Sequence, residues 1–70
     1  MKSYERYAAR RNELGYTDKE VSEKAGISLT SLEQWYMNYL TGGLLGNQPK
    51  LETLLAIAGV LGIGILDFIK

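Results

Sequence analysis

The chain has 70 residues, its eight basic and eight acidic side chains cancel, and it contains neither cysteine nor histidine. This length supports one domain, and a domain so small buries only about 60% of the surface of its unfolded chain. The missing residue types exclude a disulfide framework, a Cys/His zinc site, a thiol nucleophile and an imidazole base. Zero net charge excludes a strong overall attraction to nucleic acid or to an anionic membrane.

The amino terminus is polar from its second residue and lacks the basic and then apolar pattern of a secretory signal. The longest apolar stretch, residues 54–66, is interrupted by glycines. It is also shorter than the roughly 18 residues of a spanning helix. We therefore expect a cytoplasmic protein without a membrane segment.

A first helix is predicted over residues 4–14. Ser3 can supply its N-cap, since a serine hydroxyl accepts a hydrogen bond from a free amide of the first turn. Gly15 can end the helix, because glycine readily adopts the left-handed conformation found at helix ends.

A second helix is predicted over residues 18–25. Thr17 and Glu20 have the spacing of a capping box, in which each side chain bonds the backbone amide of the other residue. Val21 and Ala25 are four residues apart, so they share one face of this helix. That face is expected to be buried.

A third helix is predicted over residues 29–40, with Ser28 as its cap. Gly26 lies in a turn of about three residues, where the backbone needs a positive φ. Leu32 and Trp35 are three residues apart on the side that faces back toward the second helix. The two helices and their short turn predict a helix-turn-helix.

Residues 41–50 are predicted to be an irregular insertion, because they contain three glycines and a proline that stops any helix. The apolar side chains around this insertion either cover the core of the domain or contact a second copy of the chain. Helices over 51–61 and 65–69 complete an all-α fold, a compact bundle of about five short helices that forms a single domain over residues 1–70.

The last helix carries more apolar surface than one turn can hide in a monomer. We therefore expect a symmetric homodimer. The expected dimer contact consists of Ile65, Leu66, Phe68 and Ile69.

Two stretches of the chain read RNELGYTDKEVSEKAGISLTSLEQW and LETLLAIAGVLGIGILDFI. They resemble the lambda-repressor-like helix-turn-helix domains, the Cro and phage-repressor group of DNA-binding regulators. The resemblance implies that the third helix lies in the major groove and that the first turn of the second helix sits on the phosphates. It also implies that the last helix helps to form a twofold dimer, which would place two recognition helices about 34 Å apart, one turn of B-DNA.

The resemblance also assigns positions on the DNA. The positions expected to meet base edges are Ser28, Leu29, Thr30 and Gln34. Those expected at the DNA backbone are Thr17, Asp18, Lys19, Ser31, Arg11 and Asn38. An amide at Gln34 can pair with adenine, and Leu29 or the Thr30 methyl can contact a thymine methyl, so A·T pairs are favoured.

Two positions depart from the family pattern. Asp18 stands where the family usually has glutamine, so a carboxylate would face a phosphate there. Tyr36 stands where the family usually has a glutamate that pairs with the arginine at Arg11, so we expect that pair to be absent.

The preferred interpretation is a small transcriptional regulator that binds double-stranded DNA in a sequence-specific manner. The alternative is a helix-turn-helix fold used for protein contact or self-association, without a DNA target. Charge separates the two hypotheses: cations beside Gln34, drawn from Arg10, Arg11, Lys19 and Lys50, favour DNA. A flat, apolar or acidic face favours protein contact.

An enzyme is not expected. The carboxylates Asp18, Glu20 and Glu23 lie close in sequence but have no partner base and no metal-ligand spacing. We therefore predict no catalytic residue, no metal site, no cofactor and no small-molecule substrate.

Overall fold

The computed structural model describes residues 3–44, 46 and 49–69, and of residue 69 it describes only the backbone. Five α-helices follow one another along these residues. They are α1 (Ser3–Leu14), α2 (Asp18–Ala25), α3 (Leu29–Leu40), α4 (Leu51–Leu61) and α5 (Ile65–Ile69). These residues contain no strand, and the helices pack into a globule of 28 × 24 × 21 Å. The prediction of an all-α bundle of five short helices is confirmed.

Side-chain caps define the junction between α2 and α3. The Glu20 amide donates to the Thr17 hydroxyl and the Thr17 amide donates to the Glu20 carboxylate, each over 3.1 Å, so the predicted capping box is present. Gly26 ends α2 in the left-handed region with φ 70°, and Ser28 caps α3 by accepting the Ser31 amide. Only three residues separate the two helices, which holds them in contact.

Aromatic rings form the centre of the core. The ring of Trp35 lies 5.2 Å from those of Tyr4 and Tyr7 and 6.2 Å from that of Phe68. Such rings bury roughly 150–250 Å² each, so this group dominates the apolar burial of a small domain. All five helices contribute to the core, which contains Tyr4, Tyr7, Val21, Leu32, Trp35, Ile57, Ala58, Leu61 and Phe68.

The orientation of α5 corrects the expected dimer contact. Phe68 is fully buried against Trp35, and Ile65 is half-buried and packs on the core. Since α5 lies against α1 and α4, its inner side completes the core, and of its described apolar side chains Leu66 is the one left largely exposed, at 62%. Phe68 is therefore a core residue rather than a contact residue, and the side chain of Ile69 lies outside the described residues.

The connection after α3 folds back onto the helix. Asn38 is buried, its side-chain carbonyl accepts the Gly46 amide over 2.9 Å, and its backbone carbonyl accepts the Gly43 amide over 2.8 Å. The Thr41 hydroxyl closes the same turn by donating to backbone carbonyls of the last helical turn. The expectation that Asn38 meets the DNA backbone is therefore corrected, because its side chain is turned inward to hold this turn.

Candidate nucleic-acid interface

The amino-terminal half of α3 presents four neighbouring side chains to solvent. Leu29, Thr30, Glu33 and Gln34 are all exposed, while Trp35 anchors the opposite side of the helix in the core. Residues four apart on a helix are neighbours, so the four side chains form two adjacent rows. The resulting surface carries one amide, one hydroxyl, one carboxylate and one leucine, and it contains no cation.

The two serines at the start of α3 bond each other. Their hydroxyl oxygens are 2.9 Å apart, and the Ser28 hydroxyl also accepts the Ser31 amide over 3.2 Å. Both residues are exposed. The hydroxyls of Ser28 and Ser31 are therefore already hydrogen-bonded, and a phosphate that reached them would replace these bonds or add a further one.

The first turn of α2 presents one cation. Lys19 is exposed and forms no ion pair with any described residue. Thr17 and Glu20 are occupied by the capping box, in which the Thr17 hydroxyl also donates to the Glu20 carboxylate over 3.2 Å. The first amides of any helix have no partner within the helix and attract anions, but the Glu20 amide is already bonded to Thr17. A phosphate at this turn would therefore have to bond the amides of Asp18 and Lys19 and the Lys19 side chain.

Asp18 is held by two donors from α1. Arg11 Nη1 donates to Asp18 Oδ1 over 2.8 Å, and the Tyr7 hydroxyl donates to the same oxygen. Burial raises the pKa of Tyr7, and its hydrogen bond to Asp18 raises that pKa further. Burial alone would lower the pKa of Arg11, but the bond to Asp18 leaves it above its ordinary value. Both donors therefore stay protonated, and the guanidinium offsets the carboxylate charge.

This cluster bears on two expectations. The ion pair between Arg11 and position 36 is absent, as expected from the tyrosine there, and Arg11 pairs with the carboxylate of Asp18 instead. For the same reason Asp18 does not face a phosphate as an uncompensated charge. The cluster was not predicted from the sequence, although Tyr7 and Arg11 share one face of α1 and Asp18 begins α2 three residues after Gly15.

The other basic side chains do not form a cluster beside α3. Arg10 Nε donates to the Leu61 carbonyl at the end of α4 over 2.9 Å, and Arg11 is committed to its carboxylate partner. Of the four cations considered beside Gln34, only the side chains of Lys19 and Lys50 are exposed without a bond to any described residue. The surface around α3 is therefore close to neutral, not strongly basic.

The carboxyl-terminal half of α3 and the turn after it expose a group of apolar side chains. Tyr36, Met37, Leu40 and Leu44 are between 43% and 87% exposed. We call them the apolar end of α3. The ring of Tyr36 lies 5.4 Å from that of Tyr4, so one edge of the group rests on α1. A group of this kind suits contact with another apolar surface better than contact with a phosphate backbone.

The described residues contain no helix with both the length and the hydrophobicity needed to cross a bilayer. Nor do the residues of this part of the chain gather three or more acidic side chains in a group that could hold a metal ion.

Comparison of the chain with protein-family models, with curated proteins and with solved structures finds no match. The resemblance to lambda-repressor-like domains therefore stays a prediction that rests on the residues themselves.

Proposed function

We propose that this chain is a small transcriptional regulator that binds double-stranded DNA, with α2 and α3 acting as a helix-turn-helix and α3 entering the major groove. The observation that carries the proposal is the exposed side of α3, where Thr30 and Gln34 lie in one row and Leu29 lies beside them. The B-DNA major groove, about 12 Å wide, admits an α-helix. The three-residue turn leads α3 directly from α2, whose first turn carries Lys19.

The side chains of α3 favour A·T pairs. Gln34 offers a donor and an acceptor that match N7 and N6 of adenine, and Leu29 offers an apolar contact for a thymine methyl. The helix contains no arginine or lysine, which are the usual readers of guanine O6 and N7. The half-site that fits this surface is therefore rich in A·T.

Phosphate contacts come from the first turn of α2, through its amides and Lys19. The Arg11–Asp18 pair supports this role, because it removes the repulsion that a lone carboxylate would cause. With roughly two cationic contacts per chain, log K should fall with log salt with a slope of about −2 per chain. Binding by one copy is expected to be weak, and two linked copies would strengthen it.

Selection from a randomised duplex pool tests the proposal. The enriched duplex is then titrated against the full chain by fluorescence anisotropy at two salt concentrations. We expect enrichment of an A·T-rich half-site, and binding that weakens moderately with salt. Equal binding to all duplexes, or none, would remove α3 as a reader of DNA.

A second candidate function is contact with another protein through the helix-turn-helix, and the apolar end of α3 favours it. Leu40 and Leu44 are the most exposed members of that group. A Leu40→Gln variant separates the two functions when it is compared with Gln34→Ala on the enriched duplex. A DNA reader loses base preference with Gln34→Ala and keeps its affinity with Leu40→Gln. A protein-contact domain yields no enriched duplex at all.

A further inference from the structure

We infer that two copies of this chain associate in antiparallel fashion through the outer face of α4. This face is formed by Leu51, Leu55 and Gly59, which are spaced four apart and so lie in one row along the helix. Leu51 is 60% exposed and Leu55 is 48% exposed. Neither is part of the core or among the residues packed against it. The inference is independent of DNA binding.

Gly59 is the first observation that points to a second helix. Glycine inside a helix destabilises that helix relative to alanine. Gly59 lies within α4 and is exposed, and a Cβ atom built there would have no neighbour within 4 Å. No described residue therefore requires the absence of a side chain at this position. A glycine on an exposed helical row lets another backbone approach closely, which explains why it stands here.

Charge at the two ends of α4 is the second observation. Glu52 is the only charged residue of α4 and lies in its first turn. At the other end, Arg10 Nε donates to the Leu61 carbonyl, its Nη1 pairs with the exposed Glu13 over 3.4 Å, and its Nη2 lies 3.8 Å from the position of a Cβ atom on Gly62. The outer face of α4 therefore has Glu52 at its start, beside the exposed Lys50, and at its end the Arg10 guanidinium, whose Nη2 is directed toward Gly62.

The two ends of α4 are complementary when a second copy packs against the first in the antiparallel direction. If two α4 helices cross antiparallel midway between residues 55 and 59, residue 52 of each copy lies opposite residue 62 of the other. Glu52 then meets Arg10 of the other copy, and the contact occurs twice about the twofold axis. An isologous interface needs one surface that is complementary to itself, and this helix meets that condition. A different protein would have to carry the same arrangement of apolar and charged residues, whereas a second copy carries it necessarily.

The expected association is weak. A single pair of helices buries less than the roughly 1,600 Å² of a standard interface, so we expect a dissociation constant on the order of tens of micromolar. The helix α5 does not provide a larger apolar surface for association, because Phe68 and Ile65 are turned toward the core. The dimer contact expected there moves to α4.

Sedimentation equilibrium of the full chain tests the role of Gly59, with urea unfolding as a parallel check of folding. Gly59→Leu should weaken association at least tenfold by filling the crossing point, while the unfolding midpoint of the monomer rises because leucine favours the helix. The matched control Glu23→Leu adds the same side chain to an exposed position of α2 and should leave association unchanged. Weaker association together with a higher unfolding midpoint cannot arise from misfolding of the variant.

The charge contact has a test of its own. Glu52→Lys should weaken association several-fold at low salt and less at high salt, whereas Glu23→Lys, with the same change in net charge, should weaken it little. The inference is overturned if the wild-type chain stays monomeric up to about 1 mM. It is also overturned if Gly59→Leu associates as tightly as Glu23→Leu, since the copies would then meet elsewhere.

Discussion

The guanidinium of Arg11 bonds the carboxylate of Asp18 across the turn between α1 and α2, with Nη1 2.8 Å from Oδ1. Tyr7 donates to the same oxygen from one turn earlier on α1. The first turn of α2, which presents Lys19, is therefore fixed to α1 by side chains as well as by the chain itself. In the proposed complex, the position of the phosphate contact depends on this pair.

The pair should be measurable as a coupling energy. Asp18→Ala should lower the free energy of unfolding by about 1–2 kcal/mol, because both donors lose their acceptor. In a double-mutant cycle with Arg11→Met, urea unfolding at pH 7 should give a coupling of about 1 kcal/mol, a value kept small by partial exposure of the pair. Arg10→Met, whose side chain is directed to the end of α4, is the control and should be additive with Asp18→Ala. Additive behaviour of Arg11→Met would contradict a direct pair.

Stability should fall above about pH 10 because of Tyr7. Burial and the bond to Asp18 raise the pKa of folded Tyr7 above the unfolded value of 10.0. A group whose folded pKa is raised contributes stability that is complete below its unfolded pKa and is lost as the pH rises toward the folded pKa. The loss for one proton is at most about 1.4 kcal/mol per pH unit.

Tyr7→Phe isolates this contribution. The variant should be less stable than wild type at pH 7 by about 1 kcal/mol, for the lost hydrogen bond, and its stability should decline less steeply above pH 10. Urea unfolding at a series of pH values from 8 upward measures both effects. Some decline should remain, since burial raises the pKa of Tyr4 and the hydrogen bond to Glu5 raises that of Tyr39. Parallel profiles for variant and wild type would rule out Tyr7 as the titrating group.

Local signals in the sequence were sufficient to place both ends of α2 and the start of α3, whereas α1 begins at Ser3, the residue predicted to cap it. The capping box of Thr17 and Glu20 and the glycine at position 26 act within four residues, so no knowledge of the tertiary structure is needed to recognise them. The same holds for Ser28. These caps also position the exposed side of α3, because they fix where the helix begins.

The side-chain partners across helices could not be predicted in the same way. Phe68 belongs to a helix of only five residues, four of them apolar, and so short an apolar run has no periodicity that separates an inner from an outer side. Asn38 and Asp18 are polar, and their partners, Gly46 and Arg11, come from other segments of the chain. Their roles depend on which segments meet, which a local pattern does not contain.

The two sides of α5 should respond very differently to truncation. Phe68→Ala removes a fully buried ring beside Trp35 and should lower the free energy of unfolding by about 3–5 kcal/mol. In a domain this small, that loss is expected to leave much of the chain unfolded at 25 °C. Leu66→Ala, on the exposed side, should change stability by less than about 0.5 kcal/mol. Circular dichroism and urea unfolding at low protein concentration measure both, and a reversed order would place Phe68 at the surface.

Base readout and phosphate contact should separate in two single variants of the proposed interface. Gln34→Ala should cost about 1–3 kcal/mol on duplexes with adenine at one position and little on duplexes without it, since the amide reads only that base. Lys19→Ala should weaken binding to every duplex alike and reduce the salt slope by about 1, because it removes one phosphate contact. Anisotropy titrations of both variants against the enriched duplex and its single-base substitutions measure these effects. Glu23→Ala, exposed on α2, is the control for nonspecific loss. Uniform weakening by Gln34→Ala would mean that this side chain touches the DNA without reading it.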